Sequence, residues 1–131
     1  MIAVTPKTVL VADDTMIITH HPPVRTGACG MPRAGCRVHV ASSGETALRR
    51  AETDRIDLLI LDIEMPHMSS FDLLREVRRK SGYSEVPVIF ITGSGDPKFR
   101  EEAEALGASG FFTKPFSPVE LQRCVKKLLS L

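Results

Sequence analysis

The chain has 131 residues, of which 43% are hydrophobic and 25% charged, and a formal net charge of +1. That size and balance fit one soluble domain with a real core, and near-neutrality gives no electrostatic case for nucleic acid or a membrane surface as the main partner. No apolar run approaches the roughly 20 residues that span a bilayer. The opening MIAVTPKTVLVADD lacks a signal-peptide layout, and Cys29, Cys36 and Cys124 lack metal-type spacing, so a reduced, cytoplasmic chain is expected.

Residues 8–12 read as a first buried strand that runs into Asp13 and Asp14. Residues 15–36 should hold a helix, but Pro22-Pro23 and then Gly27, Gly30, Pro32 and Gly35 rule out a continuous one. Residues 37–41 alternate polar and apolar, as a strand nearer the sheet edge does. A turn at 42–44 leads to a short helix over 45–53, with Ala47, Leu48 and Ala51 inward. Leu58 to Leu61 form an apolar run suited to a strand buried on both faces, and it ends in Asp62. Ser69 or Ser70 can cap the next helix, whose inner face is Phe71, Leu74 and Val77, with Arg75, Arg78 and Arg79 outside and Gly82 at its end.

Residues 86–92 predict a fourth strand, and Asp96-Pro97 a cap with proline at the first helical position. That helix runs to Leu106, burying Phe99, Ala103 and Leu106. Residues 110–113 are a fifth strand ending at Lys114-Pro115. Ser117 and Glu120 have capping-box spacing and open a last helix with Leu121, Val125 and Leu128 inward. Strands alternating with helices over short loops predict a single α/β domain, 1–131, with a parallel sheet and right-handed crossovers.

Four strand ends bring Asp13 and Asp14, Asp62, Thr92 and Lys114 to the carboxyl edge of that sheet, where open α/β sheets place their chemistry. Singly, each is an ordinary turn, cap or surface residue. Together they are coherent. Clustered carboxylates repel unless a cation is present, and an all-oxygen set suits Mg²⁺. A central carboxylate can attack phosphorus to give an acyl phosphate, with a lysine and a hydroxyl to neutralise and bond the phosphoryl oxygens.

In their order and spacing, VLVADD, LLILDIEMP, VIFITG and GASGFFTKPF resemble the receiver domain of two-component response regulators, over nearly the whole chain except 15–36. The resemblance implies a doubly wound five-stranded parallel sheet of order 2-1-3-4-5, flavodoxin-like, with an irregular first helix region. It implies that Asp62 accepts a phosphoryl group from a histidine kinase or histidine phosphotransfer protein. Asp13 and Asp14 would hold Mg²⁺, with Asp62 and the Glu64 backbone carbonyl completing the protein ligands. Lys114 would pair with the phosphoryl group beside a cis Lys114-Pro115 bond. Thr92 and Phe111 would form the switch, and residues 96–106, the fifth strand and the last helix the output surface for a downstream protein target or effector domain.

The chain departs from that pattern at His67 and Ser70, where the family usually carries glycine, and at Phe111, which lacks a tyrosine hydroxyl. Glu64 and Ser94 stand at variable positions that tune phosphoryl hydrolysis in the family. The irregular segment at 15–36 is expected to leave apolar area uncovered for a partner or a homodimer. With the chain ending just after the last helix, no output domain, no direct nucleic acid and no membrane are expected, and no enzymatic activity beyond its own phosphorylation and dephosphorylation. The alternatives are a phosphorylation-independent scaffold and a phosphatase using an aspartyl-phosphate intermediate. Basic pairs such as Arg49-Arg50 and Arg78-Arg79 read as solvated surface.

Overall fold

The computed structural model describes residues 7–13, 36–65, 68–80 and 82–130. Among these, five strands are β1 (Lys7–Ala12), β2 (Cys36–Ala41), β3 (Leu58–Asp62), β4 (Val88–Thr92) and β5 (Gly110–Thr113). Four helices are α1 (Gly44–Thr53), α2 (Ser70–Arg79), α3 (Pro97–Ala105) and α4 (Pro118–Leu129). Every strand pairing is parallel and the order is β2-β1-β3-β4-β5, the doubly wound arrangement expected.

The pleat divides the central strands' apolar residues between two cores. Leu10, Ala12, Leu59, Leu61, Val88 and Phe90 face one side, against Ala47 and Ala51 of α1, Phe71, Leu74 and Val77 of α2 and Ala103 of α3. Val9, Val11, Leu58, Ile60, Ile89 and Ile91 face the other, against Leu121, Val125 and Leu129 of α4. Strands buried on both faces need unbroken apolar runs, which β1, β3 and β4 supply. Caps lie where the sequence places them. Ser69 accepts from the Phe71 amide, Asp96 from Lys98, and Ser117 from Glu120.

Several expectations need correcting. β4 begins at Val88: Pro87 offers its carbonyl to the Leu59 amide at 3.0 Å but has no N–H to give to the sheet. α2 ends at Arg79, so Gly82 does not terminate it; its φ of +88° serves the following turn instead. Leu129, four residues after Val125, takes the buried place expected of Leu128, which is partly buried. Only Ala103 is fully buried on α3, with Phe99 and Leu106 packed at the margin. Arg78 is not a solvated outer residue. Its guanidinium donates to the Leu106 carbonyl at the end of α3 and to the Val86 carbonyl at 3.2 Å, tying α2 to its neighbours. The expected break over 15–36 lies outside the described residues, except for Cys36, which opens β2.

Candidate functional site

Register brings the polar strand ends together. Ala12 pairs with Leu61, so Asp13 lies beside Asp62 one rung on. Asp62 pairs with Ile91 and Thr92 with Thr113, which sets Thr92 and then Lys114 on successive rungs. Three of these side chains end in nearly dry surroundings: Asp13, Asp62 and Thr92 are each at most 1% exposed.

Asp62 is the hub. Its Oδ2 accepts from the Lys114 ammonium at 2.9 Å and its Oδ1 from the Glu64 amide at 2.9 Å. The Asp13 carboxyl, on the adjacent strand end, bears on it as well. Burial pushes the Asp62 pKa above its ordinary value; Lys114 and the Glu64 amide pull it down, and Asp13 adds to the rise. Burial works against the Lys114 ammonium, but its hydrogen bond to Asp62, and then the charges of Asp62, Asp13 and Glu64, outweigh that and leave its pKa raised. The pair is thus a charged couple in a nearly dry pocket, with a second carboxylate beside it.

Thr92 is held by neighbours of its own. Its hydroxyl donates to Glu64 Oε1 at 3.2 Å and accepts from the Ser94 amide at 3.0 Å. The Gly93 amide donates to the same Glu64 oxygen. Lys114 is set on the neighbouring strand end by its amide, which donates to the Thr92 carbonyl at 2.7 Å, and the Lys114-Pro115 peptide is cis as expected. Phe111 is partly buried, with the Arg100 guanidinium 4.8 Å from its ring centroid.

Asp13, Asp62, Thr92 and Lys114 therefore converge, and Glu64 joins them through both its amide and its carboxylate. Asp14 and His67 lie outside the described residues. Among the described residues no three His, Cys, Asp or Glu side chains form a metal-type cluster. The donor set nevertheless suits a hard divalent cation. Two buried carboxylates stand on neighbouring strand ends, and a bound cation would offset the cost of burying their charge, the same burial that raises the Asp62 pKa. Sequence reasoning missed two features: the Glu64 side chain on Thr92, and the buried Ser70 hydroxyl, which donates to the Asp62 backbone carbonyl. Neither spacing nor composition reports where such side chains point. The departure from glycine at Ser70 was the one available signal. A cleft of about 660 Å³ opens at the opposite edge of the sheet, among Lys7, Arg37, His39, Asp54 and Asp57, and holds none of these residues.

The fold and this strand-end constellation are those of a receiver-type α/β signalling module. The chain belongs to the response regulator receiver domain family, whose model matches residues 9–126. It is 32% identical over 123 residues to the alkaline phosphatase synthesis transcriptional regulatory protein PhoP of Bacillus subtilis, covering 94% of this chain and 48% of that one. Among solved structures it resembles chemotaxis response regulator CheY4 of Vibrio cholerae, at 31% identity and a TM-score of 0.75, covering 95% of this chain and 99% of that one. It also resembles the receiver domain of sensor histidine kinase PA1611 from Pseudomonas aeruginosa, at 25% identity and a TM-score of 0.76, covering 97% and 100%. That structure has a magnesium ion coordinated in its active-site cleft.

The chain spans about half the length of the curated relatives it matches. Since PhoP is a transcriptional regulatory protein, the expectation that nucleic acid is no partner finds no support among these relatives. Among the described residues no helix is long and apolar enough to cross a membrane.

Proposed function

We propose that this receiver domain works as a phosphorylation switch in which Asp62 is the acceptor. The observation that carries the reading is the buried Asp62 carboxylate held on Lys114 at 2.9 Å with Asp13 beside it and Thr92 on the next strand end. One carboxylate oxygen attacks phosphorus, the bond from phosphorus to the donor breaks, and its electron pair leaves with the donor. The product is an acyl phosphate on Asp62. The donor in the cell is a histidine kinase or a histidine phosphotransfer protein. Mg²⁺, held by Asp13, Asp14, Asp62 and the Glu64 carbonyl, supplies charge neutralisation when bound.

Lys114 keeps its proton under the charges around it, so it stays an ammonium able to pair with a phosphoryl oxygen. The Thr92 hydroxyl exchanges Glu64 for the phosphoryl group, and Phe111 moves with it. That rearrangement alters the face made by α3, β5 and α4 and so the affinity for a downstream protein or effector domain, or for a second copy of the chain. The single domain over 1–131 and a cytoplasmic setting belong to the same proposal. Incubation with acetyl phosphate and Mg²⁺ tests it: intact mass should rise by one phosphoryl group, and Asp62→Asn should abolish the gain. A folded wild-type chain that gains no mass would sink the proposal.

A further inference from the structure

We infer that Ser70 is a positioning residue for Asp62, acting through the peptide bond that follows the carboxylate; the inference rests on the acceptor role proposed for Asp62. Ser70 is fully buried in the first turn of α2. It is not the helix cap, since Ser69 fills that place by accepting from the Phe71 amide at 3.1 Å. Instead the Ser70 hydroxyl donates across the loop to the backbone carbonyl of Asp62. A serine in a first turn ordinarily bonds its own neighbours, so a bond reaching back eight residues needs a reason.

The reason lies in the peptide that the bond grips. The N–H of that same peptide, on Ile63, donates to the Ile91 carbonyl of β4 at 2.8 Å. The plane between Asp62 and Ile63 is therefore held at both ends, by α2 through Ser70 and by the sheet through Ile91. One peptide further on, the Glu64 amide closes a turn onto Asp62 Oδ1 at 2.9 Å, and Oδ2 is left facing Lys114. Rotation of the gripped plane would carry the Glu64 amide off Oδ1 and turn the carboxylate away from its bond to Lys114. In-line attack tolerates little of that. The same rotation would redirect the Glu64 carbonyl expected to face the cation. A glycine, which the family pattern leads one to expect here, has no hydroxyl to supply this hold.

The test uses the whole chain as wild type, Ser70→Ala, Ser70→Gly and Ser70→Thr. Amide hydrogen exchange is followed without metal, and phosphoryl uptake from acetyl phosphate with Mg²⁺ by intact mass. In Ser70→Ala and Ser70→Gly, exchange at the Ile63 and Glu64 amides should quicken about tenfold and uptake slow about tenfold, the scale of losing one supporting hydrogen bond behind a reactive group. The Val125 amide in α4 should keep its wild-type protection, and Ser70→Thr, which retains the hydroxyl, should recover both rates. Wild-type uptake in the variants lacking the hydroxyl overturns the inference. So does a slowing accompanied by equal loss of protection at Val125, which marks general destabilisation. A folded wild type that takes up no phosphoryl group overturns the role of Asp62 itself, a result distinct from equal uptake in wild type and variants.

Discussion

Glu64 occupies the hydroxyl that the proposed switch has to use. Its Oε1 takes the Thr92 hydroxyl at 3.2 Å and also the Gly93 amide, while the side chain itself is exposed at the mouth of the site. Phosphoryl capture must break the bond to Thr92, and it must bring negative charge toward a carboxylate that remains nearby. Glu64→Ala removes both obstacles. A hydrogen bond to a charged group nets about 1.5–3 kcal/mol when buried, and exposure brings this one nearer to about 1 kcal/mol. In a rate that is roughly a fivefold gain. Uptake of phosphoryl from acetyl phosphate at fixed Mg²⁺, followed by intact mass over time, measures it. Glu64→Gln keeps an acceptor oxygen without the charge and should fall between alanine and wild type. Uptake by Glu64→Ala equal to or slower than wild type would refute the reasoning and make Glu64 a supporting residue.

Four further outcomes follow from the structure. Because burial raises the Asp62 pKa, its carboxyl in the metal-free chain should take up a proton above the usual carboxylate range as pH falls, which carboxyl ¹³C NMR on the whole chain would show. Stability of the metal-free chain follows from the same shift. A folded pKa above the unfolded one stabilises the metal-free chain below the unfolded pKa, and this contribution is lost as pH rises through the folded pKa; Asp62→Asn should then gain thermal midpoint relative to wild type with rising pH. Arg78→Met keeps an apolar stem but deletes the bonds to the Leu106 and Val86 carbonyls, so urea unfolding should show a loss of roughly 1.5–3 kcal/mol. Gly44→Ala would drive a Cβ to 2.7 Å from Met68 Sδ and 3.0 Å from Met68 Cβ, costing about 1–3 kcal/mol that Met68→Ala in the same chain, which removes Sδ but keeps Cβ, should restore in part.

What could be read from the sequence follows from how directly each feature is coded. Apolar runs such as Leu58 to Leu61 leave little choice but a doubly buried strand, and parallel strands end in step, so Asp62, Thr92 and Lys114 could be placed together before any geometry was known. Caps were equally legible, because Ser69, Asp96 and Ser117 act on amides only two or three residues away. Long side chains were not. Arg78 stands seven residues after Phe71 and four after Leu74, on the edge of the apolar stripe of α2, and its length carries the guanidinium past that stripe to carbonyls of two other segments. Tyr83, between α2 and β4, turns its buried hydroxyl to accept from the Ile56 amide at 3.0 Å and donate to the Asp54 carbonyl at 2.7 Å, fastening the loop between α1 and β3. Periodicity reports which face a residue is on. It does not report how far its side chain travels.

The strand-end register also divides the domain by its tolerance of added length. Removing or adding one residue within β3 would invert the faces of the strand residues after it and turn Asp62 away from Asp13 and Lys114, so the strands that carry the site cannot vary in length. The connections at the other edge carry no such burden. Residues 54–57, 80–87 and 106–109 all enter strands from the side remote from Asp62, and Ser84 and Glu85 among them are exposed. A reporter segment spliced between Ser84 and Glu85 would therefore ride on the domain without entering its chemistry, while the same segment placed after Asp62 would dismantle it.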